Sequence, residues 1–177
     1  EGEGYQQYSF LPRLRLTYNF SDHAFIRYQG DISRSTPALS DLNNVEQLID
    51  SLQIRRGNPT LKMSTVYNNT LNFDYRKGLF SGSLYLLYQY QRKPNMEETI
   101  RENDLFIRTI ANQRSWQKLN PEIEVKVGPF KDILSLSVTT GINYFDSRGH
   151  NYHHTYTNWY YRASIMASYK KIGRAHV

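Results

Sequence analysis

The 177 residues contain no cysteine, which excludes disulfide staples and thiolate metal sites. That absence suits a cytosolic protein and a bacterial envelope protein equally well. No apolar run approaches the roughly 20 residues that a membrane-spanning helix needs. No leading basic-plus-apolar segment resembles a signal peptide, and the chain opens on Glu1 without a methionine, so an internal fragment is expected. Gly-x-Ser-x-Gly, His-Glu-x-x-His and glycine-rich phosphate loops are all missing, and no enzyme is expected. Acidic residues are in deficit: 22 Lys and Arg face 16 Asp and Glu, for a net charge of +6. The basic residues alternate within apolar stretches or sit in turns and never form a dense patch. A generally basic surface, without nucleic acid as a partner, is the expectation.

Tyrosine is plentiful. Fifteen tyrosines and eight phenylalanines accompany a mean hydropathy of -0.67, odd for a plain soluble core. Strands with one apolar face and aromatic ends produce that mixture. The pattern is plainest over 14–75, where Leu14, Leu16, Tyr18 and Phe20 alternate with Arg15, Thr17 and Asn19. After a tight turn at 21–22, Ala24, Ile26, Tyr28 and Ile32 alternate with Phe25, Arg27, Gln29 and Asp31. Leu71, Phe73 and Tyr75 resume the pattern beyond a long polar excursion. A period of two puts the apolar set on one face and the polar set on the other.

Four more spans follow, at about 83–92, 105–127, 134–144 and 158–170. The fifth is expected to bend near Ser115. Short turns near 21, 79 and 130 alternate with longer loops near 45, 98 and 151. Leucines in the first loop suit one short amphipathic helix capped by Ser40, and 93–104 reads as a charged loop. The fold class expected is all-β: an antiparallel up-and-down meander of about seven strands, a fragment of a larger transmembrane β-barrel. Short turns on one rim and long loops on the other are characteristic of such barrels. With long loops outward, Tyr88, Tyr90, Tyr144, Trp159 and Tyr161 fall at outer ends and Tyr18, Phe20, Phe73 and Tyr75 at inner ends. Tyr8 and Phe10 join the outer set and Tyr169 the inner, with aliphatic residues such as Leu86 and Val138 between. A soluble β-sandwich shares the alternation and is the alternative.

Ser33-Arg-Ser-Thr-Pro37, a leucine-bearing loop, and Gly57-Asn-Pro-Thr-Leu-Lys62 ahead of a Tyr-Asn-Asn-Thr-Leu strand resemble the C-terminal barrel of TonB-dependent outer-membrane receptors. Within these, the likeness is to the Bacteroidota outer-membrane β-barrel family. Asn112-Gln-Arg-Ser115 resembles the family's next strand start, and Met63 stands where members often have proline. The resemblance implies ligand uptake through a 22-stranded barrel with an N-terminal plug. It implies as partners outer-membrane lipid and lipopolysaccharide, the remaining barrel strands, the plug, and an inner-membrane energy-coupling complex. A plug-less barrel is the other membrane reading. Residues 1–170 are expected to form the partial barrel domain. The tail at 171–177, ending Ile172-Gly-Arg-Ala-His-Val177, reads as a translated sequencing adapter.

Candidate binding residues lie in the loops. Arg55 and Arg56, beside Gly57, suit an anionic ligand at the outer mouth. His150, His153 and His154 are the nearest approach to a metal-binding set, in a loop where a solvated role is the ordinary one. No cofactor is expected. Arg13, Arg15, Arg27, Asp31, Asp74, Glu122, Glu124 and Lys126 are expected to share the lumen face.

Overall fold

The computed structural model describes residues 10–131 and 133–167. Seven long strands form one antiparallel sheet. They are β1 (Arg13–Ser21), β2 (Ala24–Ser35), β5 (Ser64–Lys77), β6 (Phe80–Arg92), β9 (Ser115–Phe130), β10 (Leu134–Arg148) and β11 (His153–Ala167). Each pairs with its neighbours in that order, so the main sheet is a pure meander. Shorter elements lie in the long connections: α1 (Leu39–Leu42), β3 (Gln47–Asp50), β4 (Gln53–Arg55), β7 (Asn95–Glu102) and β8 (Leu105–Asn112). These four strands make a second sheet, in the order β3-β4-β8-β7.

The register keeps the expected faces intact across every strand. One row runs Tyr18, Ile26, Phe73, Leu84, Ile123, Thr140 and Tyr161; the next runs Leu16, Tyr28, Leu71 and Leu86 and continues to Ile142 and Trp159. The opposite face carries rows such as Thr17, Arg27, Asn72, Tyr85, Glu122, Gly141 and Tyr160. All eight charged residues expected to share a face do so. Because successive side chains alternate, a slip of one residue in any strand would mix the two sets.

Among the described residues no second layer covers the apolar face. Leu16 is 56% exposed, Ile165 76% and Leu136 39%. Among the described residues the buried hydrophobic side chains are Ile54 and Ile107 alone, and both belong to the small second sheet. A soluble sandwich would hide such a face beneath another layer, and the described residues supply none. No helix among the described residues is long and apolar enough to cross a membrane.

The short turns all lie at one end. Asp22-His23 follows the pair Ser21–Ala24, and Gly78-Leu79 follows the pair Lys77–Phe80. Gly78 has φ +60°, as the first central position of a type II′ hairpin turn requires. The third turn joins Phe130 to Leu134. Pro12 extends the first ladder as an acceptor only, its carbonyl taking the Ile32 N–H at 3.1 Å.

The connections depart from expectation. Instead of one amphipathic helix, the first contains a single four-residue turn, α1, and then the β3–β4 hairpin. Ala38, not Ser40, occupies the N-cap, and no side chain caps it. Asn43 and Asp50 explain the break: their side-chain oxygens accept from the N–H groups of Val45 (3.2 Å) and Leu52 (2.8 Å). Such Asx turns compete with helix continuation. The expected charged loop at 93–104 is mostly strand β7, hidden by the charges of Glu97, Glu98, Arg101 and Glu102. It returns through Asn103 (φ 47°) and Asp104 (φ 65°), the two positive angles of a type I′ hairpin. The expected bent fifth span is two strands in different sheets, β8 and β9, parted at Gln113-Arg114. The proposed tail at 171–177 lies outside the described residues, as do Tyr8 and Tyr169.

Candidate functional site

The long connections gather at the end of the sheet opposite the tight turns, and they knit into a platform. Its seam is the parallel pairing of β4 with β8, Ile54 beside Ile107. Those two side chains are the small sheet's core, and burying each is worth roughly 1.5–3 kcal/mol.

The Gly57-Asn-Pro-Thr-Leu-Lys62 stretch docks the first connection onto the second. A Cβ on Gly57 would overlap the carbonyl oxygen of Asn43 and lie 2.7 Å from that of Asp41, so only glycine fits. Asn58 donates its side-chain amide to the Ile110 carbonyl (3.0 Å), while its oxygen accepts from the Thr60 N–H (2.9 Å) and hydroxyl (2.6 Å). The Lys62 N–H donates to Asn112 Oδ1 at 2.8 Å, and Asn112 Nδ2 returns a bond to the Lys62 carbonyl at 2.9 Å.

Gln113 joins the second connection to the third. It is 2% exposed, and its side-chain amide is bonded through both nitrogen and oxygen. Its backbone N–H donates to the Pro94 carbonyl (2.8 Å) and its Nε2 to Glu98 (2.8 Å), while its Oε1 accepts from the His150 N–H (2.9 Å). Met96 adds contacts to the hydroxyls of Ser147 (3.8 Å) and Tyr152 (3.3 Å). With its buried polar atoms satisfied, this network holds the platform in one arrangement.

The candidate residues meet different fates here. Arg55 lies exposed on β4, in register with Gln47 and Arg108, with no carboxylate partner among the described residues. Arg56 is taken up internally, its guanidinium paired with Glu46 (3.2 Å) and Glu102 (3.4 Å). The three histidines diverge. His150 Nε2 donates to the Asn112 carbonyl at 3.0 Å. His153 Nε2 lies 2.6 Å from Asp146 Oδ1, and His154 stacks on Tyr152 at 5.2 Å between ring centroids. His153 pairs with Arg148 on the apolar side of the sheet, whereas His154 pairs with Ser147 on the polar side. Adjacent strand residues point oppositely, so they cannot share a ligand. Among the described residues no group of three or more His, Cys, Asp or Glu could hold a metal.

Asp146 escaped the sequence reasoning, although a carboxylate in the series Ile142, Tyr144, Asp146 was a visible exception to an apolar face. It sits on β10 two residues beyond Tyr144, toward the platform, and is 2% exposed. Its carboxylate accepts from Gln117 Nε2 (2.9 Å) and Arg148 Nε (3.1 Å) and lies beside the His153 ring. Asn112 and Gln113 stood out in the sequence only through the likeness of Asn112-Gln-Arg-Ser115 to a strand start, and Glu98 not at all, since nothing local marks a residue whose partners lie in another connection.

The profile of the outer membrane protein beta-barrel family matches residues 3–174. No curated protein matches the chain by sequence. Among solved structures, the siderophore receptor PirA from Pseudomonas aeruginosa superimposes with a TM-score of 0.62 at 14% identity. That match covers 91% of this chain and 36% of PirA. The ferric enterobactin receptor PfeA, solved in complex with BCV-L6, gives 0.55 at 14% identity, covering 77% of this chain and 25% of PfeA. The chain therefore spans between a quarter and about a third of the length of the receptors whose fold it shares.

Proposed function

Because this chain belongs to the outer membrane protein β-barrel family, and so lies in the outer membrane, we propose that it is a wall segment of a TonB-dependent-type receptor that imports a bulky ligand. The observation that carries this reading is the seven-stranded sheet with one predominantly apolar face left exposed and the other face polar. Lipid is the solvent that makes such a face stable, and a water- or plug-filled lumen suits the other. Among the described residues the terminal strands β1 and β11 each have one unpaired edge. Exposed edges are not tolerated in hydrocarbon, so further strands complete the barrel.

The platform then stands at the outer mouth. Arg55 and His154 are its candidate contacts for an anionic ligand, because Arg56 is neutralised internally and His153 is on the lipid side. The likeness to siderophore receptors supports uptake of a chelate-sized anion, with a plug and an energy-coupling complex supplied by the rest of the system. The test is uptake by cells expressing the full-length protein, with and without the proton gradient. Gradient-dependent uptake lost on replacing Arg55 and His154 by alanine supports the reading. A product that is monodisperse in buffer without detergent would overturn it.

A further inference from the structure

The small sheet stops abruptly at β3. Its register aligns Leu48 with Ile54, Ile54 with Ile107 and Ile107 with Ile100, one aliphatic row across all four strands. The two inner isoleucines are buried, whereas Leu48 at the β3 end is 78% exposed. All four residues of β3 are exposed, and the strand is terminal, so its outer backbone groups have no partner strand among the described residues. Leu39, Val45, Ile49 and Leu52 of the same connection are exposed as well.

Lipid accounts for exposed leucines on the main sheet but not for these. They belong to the platform, beyond the apolar band, and are interleaved with Asp41, Glu46 and Asp50. An apolar patch rimmed by charge in water marks a contact surface. The other terminal strand of the small sheet makes the contrast. β7 carries Glu97, Glu98, Arg101 and Glu102, the kind of residues that keep an edge from pairing. β3 reads Gln-Leu-Ile-Asp and has no such guard until Asp50.

Two features of the platform say what covers this edge. Its connections already meet edge to edge, since β4 of the first pairs in parallel with β8 of the second. Residues 36–54 also contain three carboxylates and no Lys or Arg. A second copy laid against β3 would therefore set acid against acid, and the occupant must be basic or neutral.

We propose that an extended stretch of another outer connection of this same polypeptide, between two of the strands that complete the barrel, pairs with β3 as a fifth strand of the small sheet. Main-chain bonds to the free edge hold it, an aliphatic side chain continues the row at Leu48, and a Lys or Arg answers Asp50. With β3 only four residues long, the added stretch is short. The pairing rests on the wall reading above, which requires those further strands.

The test places a photo-crosslinking benzophenone amino acid at Leu48 of the full-length protein, in outer membranes, with Thr99 on β7 as the control position. Heat-modifiable gel mobility and entry into lipid vesicles report the barrel separately. Irradiation at position 48 should give a cross-link within one polypeptide, mapped by mass spectrometry to a peptide outside residues 1–177, and position 99 should give none to that peptide. Leu48→Asp should speed hydrogen exchange at residues 45–50 and in the cross-linked peptide by at least about tenfold, with gel mobility unchanged. A cross-link to a second copy or to a different protein would overturn the inference alone. So would rapid exchange at residues 45–50 in the unaltered protein with no cross-link. Failure of the unaltered protein to enter vesicles would overturn the wall reading, and this inference with it.

Discussion

The side-chain oxygen of Gln113 accepts the backbone N–H of His150 at 2.9 Å, tying two connections that are 37 residues apart in the chain. Gln113 is buried, so the bond has no water to replace it. The platform's rigidity depends on such bonds more than on apolar burial, since its core is two isoleucines.

Replacing Gln113 by leucine should leave the His150 N–H and the half-buried Glu98 carboxylate without their partner, at a cost of about 1 kcal/mol for each bond lost. The expected outcome is faster proteolysis within 93–114 and 149–152, with the main strands still protected. Limited proteolysis read by mass spectrometry checks this.

Gly57→Ala should undock the first connection. The added methyl meets two backbone carbonyls, Asn43 and Asp41, which cannot swing aside as a flexible side chain would. Hydrogen exchange should quicken at Arg56 and Asn58, whose N–H groups bond to the Arg108 and Asp41 carbonyls (3.0 and 2.6 Å), and stay slow in β5 and β6.

Leu86 and Leu87 offer a comparison within one strand. Leu86 is in register with Leu71 and Pro121 on the apolar face, and Leu87 with Thr70 and Asn120 on the polar face. Leu86→Arg should lower the unfolding free energy by about 2–4 kcal/mol near mid-bilayer. Leu87→Arg should change it by less than about 1 kcal/mol, the charge being in the lumen. Denaturant titration in lipid vesicles measures both, and equal effects would contradict the assignment of faces.

The spans were legible because their signal is local. Leu84, Leu86, Tyr88 and Tyr90 against Tyr85, Leu87, Gln89 and Gln91 assign both faces of β6 without reference to any other strand. Gly78 and the paired turns fix neighbours equally locally, and a meander needs nothing more. Gly57-Asn-Pro was noticed for its likeness to a family, but its work, holding Asn43 and Ile110 from either side, was visible only once folded.

The sequence by itself determined seven alternating spans, their order, and which side of each faces lipid, since a period of two is written into consecutive residues. Only the tertiary structure decided that β4 lies parallel to β8 and that Gln113 is a buried clasp. Each of these depends on register between residues tens of positions apart, and alternation is blind to where along its length one strand meets the next.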